Sequence, residues 1–227
     1  MTQTLEKIEI ETSSHVRSSV IWLHGLGADG HDFEAVVRQL EIPNTRFILP
    51  HAPYRAITLN NGYEMRAWYD LFGLELGSPQ DETGIRATET VIAELINQEI
   101  VRGIKADQII LAGFSQGGAI ALHTALRYPE KLAGVLALST YLPLQPTLEK
   151  EMHAANADTP IFMAHGTFDS VITLDRCKVS KHALEAHGYT LEWHEYPMAH
   201  SVCIEELADI RHFLLKTLAL KNTDMID

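Results

Sequence analysis

Cysteine is nearly absent: Cys177 and Cys203 are the only two in 227 residues. Two thiols make no disulfide framework for a chain of this length, so both are expected to be free, in a reducing compartment such as the cytoplasm. No run reaches the roughly 18 apolar residues of a membrane span. The segment MTQTLEKIEIETSSHV carries acids and no apolar core, so a secretory leader is not expected. Basic clusters are missing too. Lys and Arg number 18 against 30 Asp and Glu, a formal charge of −12. Binding along a phosphate backbone needs the opposite balance, so nucleic acid is not an expected partner. Repeats, low-complexity tracts and linker-like stretches are lacking. Neither H-E-x-x-H nor C-x-x-C occurs, so the 12 histidines form no recognisable metal set.

Hydrophobic residues make up 46% and charged residues 21%, enough apolar material for a sizeable core. The length suits one α/β domain, and a single domain over residues 1–227 is expected, with the last few residues flexible. Residues 5–11 alternate weakly, like an edge strand. Short apolar runs at Ser19–His24, Arg46–Leu49, Gln108–Ala112, Ala133–Leu138, Pro160–Ala164 and Thr190–Tyr196 read as further strands. Helical spacing appears over Asp32–Leu40, Glu82–Arg102, Gly117–Arg127, Asp175–His187 and Ile204–Leu220. In Glu82–Arg102, Ile85, Thr88, Ile92, Leu95 and Ile96 fall near one face. Apolar strands alternating with helices predict a mostly parallel sheet covered on both faces. In such sheets ligands sit beyond the carboxyl ends of the strands. Residues 51–81 show no clear periodicity but are rich in aromatics and leucine. A loop of that length is expected to touch substrate, with ordinary packing over a sheet end as the alternative.

The residues after each strand carry the chemistry. Gly113-Phe114-Ser115-Gln116-Gly117 fits G-x-S-x-G between a strand and a helix, the nucleophile elbow. A serine hydroxyl is a weak nucleophile and needs a base. In this arrangement the acid and the histidine follow in that order. Asp169 lies just beyond the strand Pro160–Ala164. Its rival Asp175 stands where a helix begins, and capping accounts for it. Of the five histidines after Asp169, only His200 lies in the loop between the last strand and the last helix. His24-Gly25-Leu26-Gly27, directly after an early strand, supplies an oxyanion loop, with the Leu26 and Gln116 amides as donors.

Two other readings compete. Gly25-Leu26-Gly27-Ala28-Asp29-Gly30 matches G-x-G-x-x-G, the fingerprint of a dinucleotide-binding oxidoreductase. It lacks the acid at the end of the next strand, which closes Leu49-Pro50-His51. A non-catalytic binding module on a hydrolase scaffold is the other alternative, but no member of the Ser115, Asp169, His200 set is missing.

Taken together, VIWLHGLGADG at 20–30, FILPHAP at 47–53, AWYD at 67–70, IILAGFSQGG at 109–118, YLPL at 141–144, AHG at 164–166 with Asp169, and MAHSVC at 198–203 resemble the carboxylesterase and acyl-protein thioesterase family. The resemblance runs from about residue 17 to 218. It implies an α/β-hydrolase fold without a large lid domain and a cofactor-free, metal-free serine hydrolase of carboxylic esters or S-acyl thioesters. Its substrates would be small-molecule or lipid esters or acylated proteins, with short to medium acyl chains. By position it implies a triad of Ser115, Asp169 and His200, oxyanion donors Leu26 and Gln116, and an acyl groove of Trp68, Leu71, Leu74, Tyr141 and Val171. Weak homodimers are common in that family. Two departures are visible: the acid loop TFDSV lacks a proline after Asp169, and Tyr141 replaces a common tryptophan.

Overall fold

The computed structural model describes residues 5–218. Seven strands form the main sheet: β1 (Lys7–Glu11), β2 (Ser18–Leu23), β3 (Thr45–Pro50), β6 (Ile109–Phe114), β7 (Gly134–Leu138), β8 (Ile161–Gly166) and β9 (Leu191–Tyr196), in the order β1-β3-β2-β6-β7-β8-β9. Every pairing is parallel except that of β1 with β3. This is the expected α/β-hydrolase architecture: a mostly parallel sheet flanked by helices.

Strand alternation builds the two faces. In β2, Ile21 and Leu23 point into one core, shared with α2 (Glu82–Val101), α3 (Gln116–Arg127) and α5 (Leu174–Ala186). Val20 and Trp22 point into the other, shared with α1 (Glu34–Leu40) and α6 (Ile204–Thr217). Both sides are dry, so the central strands carry no polar alternation. The buried face of α2 contains Ile85, Thr88, Ile92, Leu95 and Ile96, as its 3.6-residue spacing predicts. No helix among the described residues is long and apolar enough to cross a membrane.

The expected structureless stretch 51–81 holds a two-stranded hairpin, β4 (Tyr54–Ile57) and β5 (Tyr63–Arg66). Its turn carries Asn61 and Gly62 at φ 55 and 78. Asn-Gly is the residue pair that tolerates two successive positive φ values, and it was the available sequence signal. A short helix, α4 (Leu148–Glu151), is a second element that periodicity did not predict. The expected helix from Ile204 ends at Thr217 with Leu218 as its C-cap; residues 219–220, like the tail, lie outside the described residues.

Sheet register positions the site. Leu23 pairs with Gly113, Phe114 with Leu138, Leu138 with Ala164, and Gly166 with Tyr196. The carboxyl ends of β2, β6, β7, β8 and β9 therefore come level along one edge. The chain leaves β2 for β3 on one side and later lays β6 on the other. The switch point thus falls between the His24 loop and Ser115.

One buried acid stands apart. Glu206, in the first turn of α6, is fully buried, and neither carboxylate oxygen has a hydrogen-bond partner among the described residues. Burial pushes its carboxyl up to about 8. A group whose folded pKa exceeds its unfolded value contributes stability below the unfolded value and loses it as pH rises through the folded one. Between roughly pH 4.5 and 8 the protein should therefore lose stability through Glu206. Glu206→Gln removes that slope. Denaturant melts at pH 5 and pH 8 should show the variant gaining on the parent by on the order of 1–3 kcal/mol; parallel pH profiles would refute this.

Candidate active site

The elbow is built by close backbone approach. Ser115 caps α3 with φ 54 and ψ −120, a strained conformation for a residue with a Cβ. A Cβ on Gly113 would lie 2.3 Å from the Gly117 carbonyl, and one on Gly117 would lie 2.2 Å from Leu23 O and 2.6 Å from His24 O. Only glycine lets the strand turn into the helix here. The backbone of Ser115 is held on both sides: its N–H donates to Leu138 O (2.8 Å), and its carbonyl accepts from Thr140 Oγ1 (2.6 Å).

The loop after β2 packs against this turn. A Cβ on Gly25 would lie 3.6 Å from Ser115 Cβ. The buried His24 ring fixes the loop from below, with Nδ1 at 2.7 Å from Gly25 O and Nε2 accepting from the Ala52 N–H at 3.0 Å. Burial pushes this imidazole down to about 4, so it is neutral at pH 7, with its proton on Nδ1. The Gly27 N–H donates to Arg66 O, whereas neither the Leu26 N–H nor the Gln116 N–H is taken by an acceptor among the described residues. Two unengaged amides flanking a serine suit a developing oxyanion.

The Gln116 side chain ties in the hairpin segment. Its Oε1 accepts from the Trp68 N–H (2.8 Å) and its Nε2 donates to Tyr69 O (2.7 Å). Trp68 departs from the expectation. It is only 1% exposed, and its indole donates to His24 O at 2.8 Å. An indole with a buried carbonyl partner braces the loop; it is not a wall of an open groove.

Asp169 lies beyond β8 with its carboxylate fully enclosed. Its Oδ1 accepts from the Val171 and Ile172 amides, both at 2.9 Å. Its Oδ2 lies 2.6 Å from His200 Nδ1. His165, given no role in the sequence reading, places Nε2 at 3.3 Å from the same oxygen and at 2.7 Å from Ile172 O. Burial lowers the His165 pKa, so this second imidazole stays neutral. Asp175 sits in the first turn of α5, where the helix dipole favours an acid, and the cap is Thr173, whose side chain accepts from the Arg176 N–H. The structure thus joins Asp169 to His200. It does not join His200 to Ser115 by a hydrogen bond among the described residues; the ring packs instead on Phe114, with centroids 4.7 Å apart. Catalytic hydrogen bonds are commonly long or unmade without substrate.

The other expected groove residues are distributed as follows. Leu71 and Leu74 belong to a small apolar cluster with Ile57, Ala67, Met65 and Leu26, directly under the oxyanion loop. Tyr141 is buried, its hydroxyl 2.8 Å from that of Tyr69. Val171 is 40% exposed, and Phe168, beside Asp169, is 70% exposed. An exposed aromatic next to the acid was a sequence signal left unused. The glycines of Gly25–Gly30 do not open a helix as a dinucleotide site requires. Gly30 starts a 3₁₀ turn, and α1 begins only at Glu34.

Residues 5–218 match the Phospholipase/Carboxylesterase family model. An acyl-protein thioesterase 1 of Neurospora crassa is 40% identical over 213 residues, covering 88% of this chain and 87% of that protein. One from Cryptococcus neoformans is 35% identical over 240 residues, covering 96% and 100%. The crystal structure of Zea mays acyl-protein thioesterase 2 superposes with a TM-score of 0.86 at 28% identity, covering 94% of this chain and 99% of that one. The chain therefore belongs to the phospholipase/carboxylesterase family of α/β-hydrolases, enzymes that cleave ester and thioester bonds.

Proposed function

We propose that this hydrolase acts by two-step acyl transfer through Ser115, His200 and Asp169. The observation that carries the reading is a serine at a strained elbow, on the same sheet edge as a 2.6 Å aspartate–imidazole pair. His200 takes the Ser115 proton as the hydroxyl oxygen attacks the acyl carbonyl. The carbonyl π electrons move to oxygen, where the Leu26 and Gln116 amides receive the charge. Asp169 keeps the His200 proton on Nδ1 and stabilises the imidazolium. The leaving alcohol or thiol departs with the proton from Nε2, and water then repeats the sequence on the acyl-enzyme. Nothing in these steps calls on a metal or cofactor.

The substrates are carboxylic esters or S-acyl thioesters, acylated proteins among them; the relatives' names support the latter. Leu71, Leu74, Tyr141 and Val171 are the groove, and short to medium acyl chains fit it best. The chain works as one domain in the cytoplasm, consistent with its two free thiols.

A fluorophosphonate probe should label the native protein covalently. Ser115→Ala should abolish labelling, and His200→Ala should cut kcat by at least about 10³-fold while circular dichroism stays native. A folded protein that takes no label contradicts the assignment. Across 4-nitrophenyl esters, each added methylene buried in the groove should raise kcat/KM about fourfold until the groove is full. A flat profile would remove the apolar groove from the mechanism.

A further inference from the structure

Arg176 is a buried cation without a counterion. It is 7% exposed, in the first turn of α5. Its guanidinium carbon sits 3.7 Å over the Tyr141 ring centroid, and Nη1 donates to Leu74 O. Among the described residues no carboxylate comes within ion-pair distance of it. The other strongly buried arginines are paired: Arg46 with Glu99 and Glu11, Arg127 with Glu151. Asp81, close by in the fold, already spends its oxygens on the Gly84 and Asp70 amides. Asp175, the preceding residue, is exposed to solvent.

Arg176 lines a cavity of about 220 Å³ together with Gln80, Tyr141, Leu142, Leu76 and Ser180. Gln80 Oε1 accepts from the Leu144 N–H, which leaves its amide hydrogens free to donate. The Ser180 hydroxyl is engaged on both sides, with the Leu142 N–H and Arg176 O. A guanidinium with unspent donors beside a free amide, at a cavity open to solvent on one side, suits a planar carboxylate. The chain's net charge of −12 supplies no general attraction for anions, so the attraction must be local.

The cavity lies at the carboxyl ends of the strands, the edge that also carries Ser115: Tyr141 and Leu142 follow β7, and Arg176 stands in the first turn of the helix after β8. Tyr141 follows Thr140, whose hydroxyl donates to Ser115 O. Leu74, which accepts from Arg176, belongs to the proposed acyl groove. His200, which hands its proton to the leaving group, packs instead on Phe114. Resting on the Ser115 hydrolase reading, the geometry points to a substrate whose acyl chain ends in a carboxylate held by Arg176 and Gln80. The preferred substrates are half-esters or half-thioesters of dicarboxylic acids.

The test compares 4-nitrophenyl hydrogen adipate with its methyl-capped neutral counterpart on the full chain. Native protein should favour the free acid in kcat/KM. Arg176→Met should lower that preference about ten- to hundred-fold, and Arg176→Lys should retain an intermediate preference. Should the Met variant fail to fold, judged by circular dichroism and fluorophosphonate labelling, methyl hydrogen adipate should still inhibit native turnover of the neutral ester more strongly than dimethyl adipate. Equal preference in native protein and a folded Met variant overturns the inference while leaving the Ser115 assignment intact. An Arg176-dependent preference for 1-hexanoylglycerol 3-phosphate over 1-hexanoylglycerol, without one for the adipate, moves the anion to the leaving group and also overturns it. Loss of all ester turnover and labelling in the native protein removes the hydrolase reading itself.

Discussion

The site depends on how closely two backbone segments approach: the end of β2 and the first turn of α3. A methyl group on Gly117 would stand 2.2 Å from Leu23 O, well inside contact distance. Absence of that carbon lets the His24 loop and the α3 N-terminus share one small volume. Neither the Leu26 amide nor the Gln116 amide on these two segments has an acceptor among the described residues. The cost is the Ser115 conformation, about 1–3 kcal/mol for a non-glycine residue held outside the common regions. Hydrogen bonds from Ser115 N–H to Leu138 O and from Thr140 Oγ1 to Ser115 O hold that strain in place. Both partners come from β7 and its exit, so the neighbouring strand fixes the serine.

Asp169 extends the same economy of partners. Two amides saturate one carboxylate oxygen, and two imidazoles meet the other. With both oxygens engaged, the carboxylate cannot rotate without losing several bonds together. The His200 ring is consequently held through Nδ1, leaving Nε2 as its acceptor. The two supporting histidines, His24 and His165, are kept neutral by burial. They act as oriented dipoles and add no competing positive charge beside His200.

The main-sheet strands and the elbow were legible because their causes are local. β-branched runs, an abrupt glycine and a following helical pattern all lie within a few residues of one another. The pairing of Asp169 with His200 was legible because a parallel sheet delivers all its strand ends to one edge. Trp68 was misread because exposure is a tertiary property. Its indole is hidden by the carbonyl of a residue 44 positions away. His165 lay inside the AHG motif but its role was not legible, since it exists only once Asp169 folds back to within reach of the ring. The hairpin Tyr54–Arg66 was different: Asn61-Gly62 announced it, and the weak apolar alternation on either side masked it.

Buried charge separates what the fold needs from what the site adds. Glu99 is fully buried on α2, yet it meets Arg46 at 2.7 Å and Arg102 at 2.9 Å and accepts from Ser19 Oγ. Those partners come from β3, α2's own C-terminal end and β2, so the network closes within the scaffold. Breaking one member of such a set strands the others in low dielectric, which is why buried charges are normally paired. Arg176 obeys no such rule. An apolar side chain could cover Tyr141 equally well, and Leu74 O could be satisfied by a neutral donor. The scaffold neutralises its other deep arginines from within and leaves Arg176 beside a cavity at the carboxyl ends of the strands.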